Sequence, residues 1–161
     1  MTATASLPRT LLEATAVTAT ESRRESCGTG AADAAVALGR AAYRVERRID
    51  EVVRPPDGPG LDAWRVLHLL ADDAGHPMSE IAAHAMVPAP TLTKIVDRLA
   101  DRGLVYRRAD DADRRRVLVL LADRGRTLHD ELAPRVAAVE RAVHEALGAD
   151  AATVLAALER L

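Results

Sequence analysis

Hydroxyl and basic side chains cluster in two short stretches of this chain, residues 90–98 and 113–116. The residues concerned are Pro90, Thr91, Thr93, Lys94 and Arg98 in the first stretch, and Asp113, Arg114, Arg115 and Arg116 in the second. Hydroxyl, ammonium and guanidinium groups are the side-chain donors that contact phosphate oxygens and base edges of duplex DNA. We therefore expect a DNA interface if the fold places both stretches on one face. The alternative is a solvated helix face and a charged loop.

The elements around these stretches follow from local sequence patterns. Residues 79–86 predict a helix of about two turns, and Pro88 and Pro90 fit a turn or a first helical position. Apolar residues at three- and four-residue spacing predict a second helix over 91–102, which Gly103 would end. Residues 104–108 and 117–121 predict two strands around a polar, basic loop. This order indicates a winged helix-turn-helix, whose second helix enters the major groove of DNA.

The segments PTLTKIVDRLADRGLVYR (90–107) and DDADRRRVLVLLADRG (110–125) resemble the MarR family of regulators. The resemblance extends over about residues 31–161. It implies that Asp113 braces an arginine, here Arg115, that enters the minor groove, and that repression is the commoner outcome of binding. Two positions depart from the family pattern: Pro88 replaces a capping Ser, and Ala122 replaces the Thr that opens the next helix.

Charge is distributed unevenly along the chain. The net charge is −2 overall, whereas residues 88–116 carry eight Lys or Arg against five Asp, a local net charge of +3. Phosphate contacts depend on this local field, because distant charges are screened at moderate salt. No Gly-rich phosphate loop, nucleophile elbow or paired acid motif appears, so the sequence predicts no enzyme. The five His lack the spacing of a zinc site and only one Cys is present, so we expect neither metal nor cofactor.

The fold class that these patterns predict is mainly α with a small β wing. A winged helix-turn-helix module over 61–121 would be flanked by dimerisation helices at 31–54 and 123–161, all within one domain spanning 31–161. Residues 1–30 are rich in Thr, Ser and Ala and predict a flexible extension. The terminal helices carry apolar seams that one small domain cannot bury, which favours a homodimer on a palindromic, inverted-repeat operator.

A second candidate site lies on the first two long helices. Trp64 and His68 are one helical turn apart, and Tyr43, Arg44 and Arg47 offer a hydroxyl and positive charge. Together with the pocket that the resemblance implies, they predict a site for a small aromatic or anionic effector that releases DNA. The alternative is that Trp64 and His68 are ordinary core residues, with His68 hydrogen-bonded inside.

Features of the whole chain suggest a cytoplasmic protein, associated with the nucleoid through DNA. No apolar run approaches the length of a membrane span, no signal peptide is predicted, and a single Cys cannot form an internal disulfide. The sequence therefore predicts a sequence-specific, double-stranded DNA-binding transcriptional repressor. Two alternatives stay open. One is a protein-interaction adaptor without DNA binding, and the other is redox sensing through Cys27, whose pKa Arg23 and Arg24 would lower.

Overall fold

The computed structural model describes residues 30–54 and 56–160, with side-chain environments from residue 33 onward. The predicted flexible extension over 1–30 and the alternative role of Cys27 therefore lie outside the described residues, apart from Gly30 at the start of a helix. The chain divides into two compact units, Met1–Tyr43 and Arg44–Leu161. Helix α1, Gly30–Val53, contributes residues to both units.

Helix α2, Leu61–Leu69, begins after Gly60, whose φ of 78° lies in the left-handed region that glycine tolerates. The chain continues as a 3-10 turn, Leu70–Asp72. The C-terminal part of α1 is tied to α2 by polar contacts. The Leu61 amide donates to Asp50 Oδ1 at 2.9 Å, and Arg65 pairs with Glu46 at 2.7 Å. These contacts fix the start of α2 beside the end of α1.

The middle of the chain forms the winged helix-turn-helix that the sequence predicted. Strand β1, His76–Pro77, is followed by helices α3, Met78–Ala85, and α4, Ala89–Asp101. Strands β2, Val105–Ala109, and β3, Val117–Leu121, then form a hairpin. The antiparallel sheet has the order β1-β3-β2, with Arg107 opposite Val119 and His76 also opposite Val119. Strand β1 was not predicted, because two residues are too short for a periodic pattern.

One apolar core joins the elements of this module. The side chains that α4 buries are those at the predicted three- and four-residue spacing, Leu92, Ile95, Val96 and Leu99. They pack with α2, α3 and the sheet in a single cluster that includes Leu67, Ile81 and Val119. The burial of α4 on this side leaves its opposite face outward, and that orientation is what positions the candidate site.

Helix α5, Asp123–Leu147, continues through Pro134, and Gly148 ends it with a φ of 68°. Trp64 packs with Val53, Leu132 and Val136 in a second apolar cluster. A 3-10 turn, Gly148–Asp150, leads into helix α6, Ala151–Leu158. Asp150 is the residue before α6, and its side chain makes no capping hydrogen bond. No helix in the described part of the chain combines the length and apolarity needed to cross a bilayer.

The apolar seam of α5 is only partly covered within the chain. Leu132 and Val136 are buried, whereas Val139, Val143 and Leu147 are half-buried. On α6, Val154 and Leu158 remain 37% and 40% exposed. In the N-terminal unit, Val36 and Leu38 of α1 are exposed as well. The apolar stripes predicted for the terminal helices thus remain open to solvent.

Candidate nucleic-acid interface

Helix α4 presents the first predicted cluster on its outer face. Pro88 precedes the helix and Pro90 lies in its first turn, where a missing N–H costs nothing. The cluster residues are all exposed: Pro90, Thr91, Thr93, Lys94 and Arg98. The Thr93 hydroxyl donates to Ala89 O at 3.0 Å, so its oxygen keeps lone pairs for an incoming donor. Arg98 Nε donates to Lys94 O at 3.2 Å, which orients the guanidinium along the helix.

The β2–β3 loop carries the second cluster. Arg114, Arg115 and Arg116 are all exposed. The loop is closed by backbone hydrogen bonds from the Asp110 amide to Arg116 O at 2.9 Å and from the Arg116 amide to Asp113 O at 2.8 Å. A charged loop closed in this way is ordered at its base and places three cations within consecutive residues.

Asp113 contacts the backbone of Arg115, the arginine that the family resemblance expects it to brace. Its Oδ1 accepts a hydrogen bond from the backbone N–H of Arg115 at 3.0 Å. Among residues 33–54 and 56–160, no ion pair joins Asp113 to an arginine side chain. The carboxylate therefore shapes the backbone of the loop tip, as Asp commonly does two residues before an amide. The guanidinium of Arg115 is left to solvent or to a ligand.

Two contacts that the sequence did not predict join α4 to its neighbours, one to the wing and one to the loop before α2. Arg107 of β2 pairs with Asp97 of α4 at 2.6 Å, and both side chains are well exposed. Arg102 donates to Asp57 O at 2.7 Å and ties the end of α4 to the loop before α2. A cleft of about 540 Å³ lies beside α4 and is lined in part by Arg54, Thr91, Arg98 and Arg102. The outer face of α4 is thus oriented by the core, with one exposed ion pair and one hydrogen bond beside it.

His76 is a buried polar residue at the start of this module. Its Nε2 lies 2.9 Å from Asp72 Oδ2 and its Nδ1 lies 2.9 Å from Glu80 Oε1. Burial by itself would lower the pKa of His76, but the hydrogen bonds to the two carboxylates outweigh burial and raise it. Both ring nitrogens face acceptors, an arrangement that only the protonated imidazolium satisfies completely.

Of the predicted effector residues, Trp64 and His68 stack on each other with ring centroids 5.4 Å apart. Trp64 is buried at 4% exposure, whereas His68 is exposed, so the expectation of a core His68 is wrong. Arg44 is exposed and Arg47 pairs with Glu51 at 2.9 Å. Tyr43, 66% exposed, belongs to the N-terminal unit. Neither the cleft beside α4 nor the groove of about 460 Å³ lined by Val52 and Val139 includes Trp64 or His68.

These features define a winged helix-turn-helix protein with exposed basic side chains on α4 and on the β2–β3 loop. Residues 57–116 match the model of the MarR family. A curated relative, the HTH-type transcriptional regulator FarR of Neisseria gonorrhoeae, is 35% identical over 85 residues. That match covers 53% of this chain and 58% of the relative, so this chain spans little more than half of the relative's length.

Solved structures extend the similarity over most of the chain. The repressor CouR bound to a 23-mer DNA duplex is 30% identical with a TM-score of 0.62, covering 77% of this chain and 87% of that one. NadR in complex with 4-hydroxyphenylacetate is 27% identical with a TM-score of 0.67, covering 78% and 88%. CouR from Rhodococcus jostii bound to p-coumaroyl-CoA is 27% identical with a TM-score of 0.69, covering 80% and 88%. The chain belongs to the MarR family of transcriptional regulators.

Proposed function

We propose that this protein is a sequence-specific transcriptional repressor that binds duplex DNA as a homodimer and is released by a small effector. The observation that carries the proposal is the outward face of α4, where hydroxyl and cationic side chains stand opposite a fully buried apolar stripe. The exposed face of α4 does not take part in packing of the core. It matches the donors needed for base edges and phosphates in a major groove.

The wing supports the same assignment. Arg114, Arg115 and Arg116 are exposed at the tip of a hydrogen-bonded hairpin beside α4. A neighbouring fold, CouR, has been captured on a 23-mer DNA duplex. In our proposal α4 enters the major groove, Thr91, Thr93 and Lys94 approach base edges or phosphates, and Arg115 reaches the adjacent minor groove. Arg114 and Arg116 would contact the backbone.

The proposed homodimer rests on the partly covered seams of the terminal helices. Val139, Val143 and Leu147 are half-buried and Val154 and Leu158 are exposed, although apolar side chains at helical spacing normally pack against a partner. A two-fold axis through such helices places two α4 helices about one DNA turn apart, which selects an inverted repeat of roughly 16–20 base pairs.

The proposed effector is an aromatic anion. NadR and CouR are described with 4-hydroxyphenylacetate and p-coumaroyl-CoA, both of which combine an aromatic ring with negative charge. In this chain, the proposed binding residues for such a ligand are Trp64 and, on the preceding helix, Arg44 and Arg47. A ligand that binds more tightly, by a few kcal/mol, to the dimer conformation whose two α4 helices are not spaced for DNA would shift the protein toward that conformation. Trp64 is the only Trp, so its fluorescence reports binding directly.

The proposal is tested by selecting bound fragments from the source genome and measuring their affinity by fluorescence anisotropy. Affinity should fall steeply with salt, with a log–log slope of about 0.9 per neutralised phosphate. Lys94→Ala and Arg115→Ala should weaken binding, whereas Arg141→Ala, which removes an exposed cation of α5, should not once its dimeric state is verified. A flat salt response, or no retained fragment, would favour the adaptor alternative.

A further inference from the structure

Two histidines that the proposed DNA interface does not use meet between α2 and α5. His68 Nδ1 lies 3.2 Å from His129 Nε2, although 61 residues separate them in the chain. Both imidazoles stack on Trp64, with ring centroids 5.4 Å and 5.1 Å from the indole. The His129 side chain is only 11% exposed, whereas His68 is exposed. The pair therefore has a fixed inner member and an outer member that can turn.

The neighbour of the inner histidine orients its ring. His129 Nδ1 lies 3.0 Å from Asp130 Oδ1, so the ring proton resides on Nδ1 and the Nε2 lone pair points toward His68. A carboxylate behind a histidine is the usual support of a metal ligand, since it orients the ring and raises its basicity. Burial, followed by the nearby His129, lowers the pKa of His68. Metal ligation uses the neutral form of each imidazole, in which one ring nitrogen carries a free lone pair.

The spacing of the two nitrogens suits a single ion. With Zn–N bonds of about 2.0–2.1 Å, two nitrogens of a tetrahedral site lie about 3.3–3.4 Å apart. The observed 3.2 Å is close to this value, and an ion would sit about 1.3 Å off the line joining the nitrogens. Small turns of the two rings would bring their lone pairs onto it, which the exposure of His68 permits.

We propose that His68 and His129 bind a borderline transition-metal ion of the Zn²⁺ class, with Asp130 as the orienting carboxylate. Within residues 33–54 and 56–160, no group of three or more potential ligands forms, so the remaining coordination positions belong to solvent. Imidazole pairs favour zinc, nickel and copper over magnesium or calcium. The bound ion would link α2 to α5, a connection that does not depend on DNA binding.

The test uses tag-free, chelator-treated full-length protein with Cys27→Ser, so that the thiol contributes nothing. NiCl₂ and ZnCl₂ are titrated at pH 7.5, with binding followed by calorimetry and by the fluorescence of Trp64. We expect one ion per chain, quenching of Trp64 by Ni²⁺, and at least a tenfold loss of affinity in His68→Gln and in His129→Gln. Asp130→Asn should weaken binding by roughly 10–100-fold.

The matched control is His144→Gln, which removes an exposed α5 histidine whose ring bonds only the Glu140 carbonyl. It should bind as the parent does. Binding should also weaken as the pH is lowered, because protons compete with the metal ion for the imidazole nitrogens. The proposal is overturned if neither metal binds at micromolar concentration, or if the His68→Gln, His129→Gln double variant retains the affinity. It is likewise overturned if Ni²⁺ binds without changing Trp64 fluorescence.

Discussion

Gly125 permits the close approach of α5 to the beginning of the wing. A Cβ built at this position would lie 2.0 Å from Leu104 O and 2.8 Å from Leu121 Cδ1. The same Leu104 carbonyl accepts a hydrogen bond from the Ala122 amide at 3.0 Å. Substitution by Ala must therefore move backbone on one side of the contact by about 1 Å, since Cβ atoms essentially never come within 3.0 Å of such neighbours.

The change in the free energy of unfolding caused by Gly125→Ala follows from two destabilising contributions and one stabilising contribution. Overpacking at a rigid contact costs about 1–3 kcal/mol, and loss of the Ala122–Leu104 hydrogen bond costs about 0.5–1.5 kcal/mol. The higher helix propensity of Ala returns about 1 kcal/mol. The expected net loss is about 2 kcal/mol in the free energy of unfolding. For a chain of this size that lowers Tm by about 4–8 °C.

The assay is thermal and urea unfolding of wild type and variant, followed by circular dichroism. Gly39→Ala is the control, because Gly39 lies inside helix α1 and its Cβ would meet no atom within 4 Å. The same substitution should there stabilise the protein by about 0.5–1 kcal/mol. If Gly125→Ala unfolds at or above the wild-type temperature, the described contact between α5 and the wing does not exist in solution.

Three further outcomes are expected. Because the pKa of His76 is raised in the folded state, its contribution to the free energy of unfolding is fully present below the unfolded pKa of about 6.5 and is lost as the pH rises through the folded pKa. The urea midpoint of wild type, measured relative to that of His76→Gln, should therefore fall between about pH 6 and 9. Parallel pH dependences of the two midpoints would refute this. Arg115→Ala should lose about 1–3 kcal/mol of DNA-binding energy in anisotropy titrations, and wild-type affinity would exclude the wing contact. Asp113→Asn keeps an acceptor for the Arg115 amide and removes a negative charge, so its DNA affinity should equal or exceed that of wild type. Asp113→Ala loses the acceptor and should bind DNA more weakly. Equal affinities of the two variants would contradict the role of Asp113 in shaping the loop backbone.

The order of elements in the winged module was predictable because each helix and strand of the predicted set depends on the local spacing of its apolar residues. The spacing of Leu92, Ile95, Val96 and Leu99 fixed both the helix and its buried face, and Gly103, with a φ of 66°, ends it as predicted. The exposure of the predicted α4 and wing residues followed from the same periodicity. Their contact with DNA stays a prediction, as do the dimer and the effector.

Side-chain partners were decided only by the tertiary structure. Asp113 contacts a backbone amide rather than a guanidinium, and His68 stacks at the surface with His129 instead of lying in the core. Strand β1 exists because β3 pairs with His76 and Pro77, not because two residues favour a strand.

The physical reason is that periodicity determines which face of an element is apolar, because each backbone step rotates the side chain by a fixed angle. It does not determine which atoms of a distant element come within 3 Å of a given group. That choice depends on packing of the whole core, as the contact at Gly125 illustrates, where the Leu104 carbonyl leaves no room for a Cβ. The sequence by itself thus determined the helices, the wing and the family resemblance, while packing alone decided how His68, His129 and Asp113 are partnered.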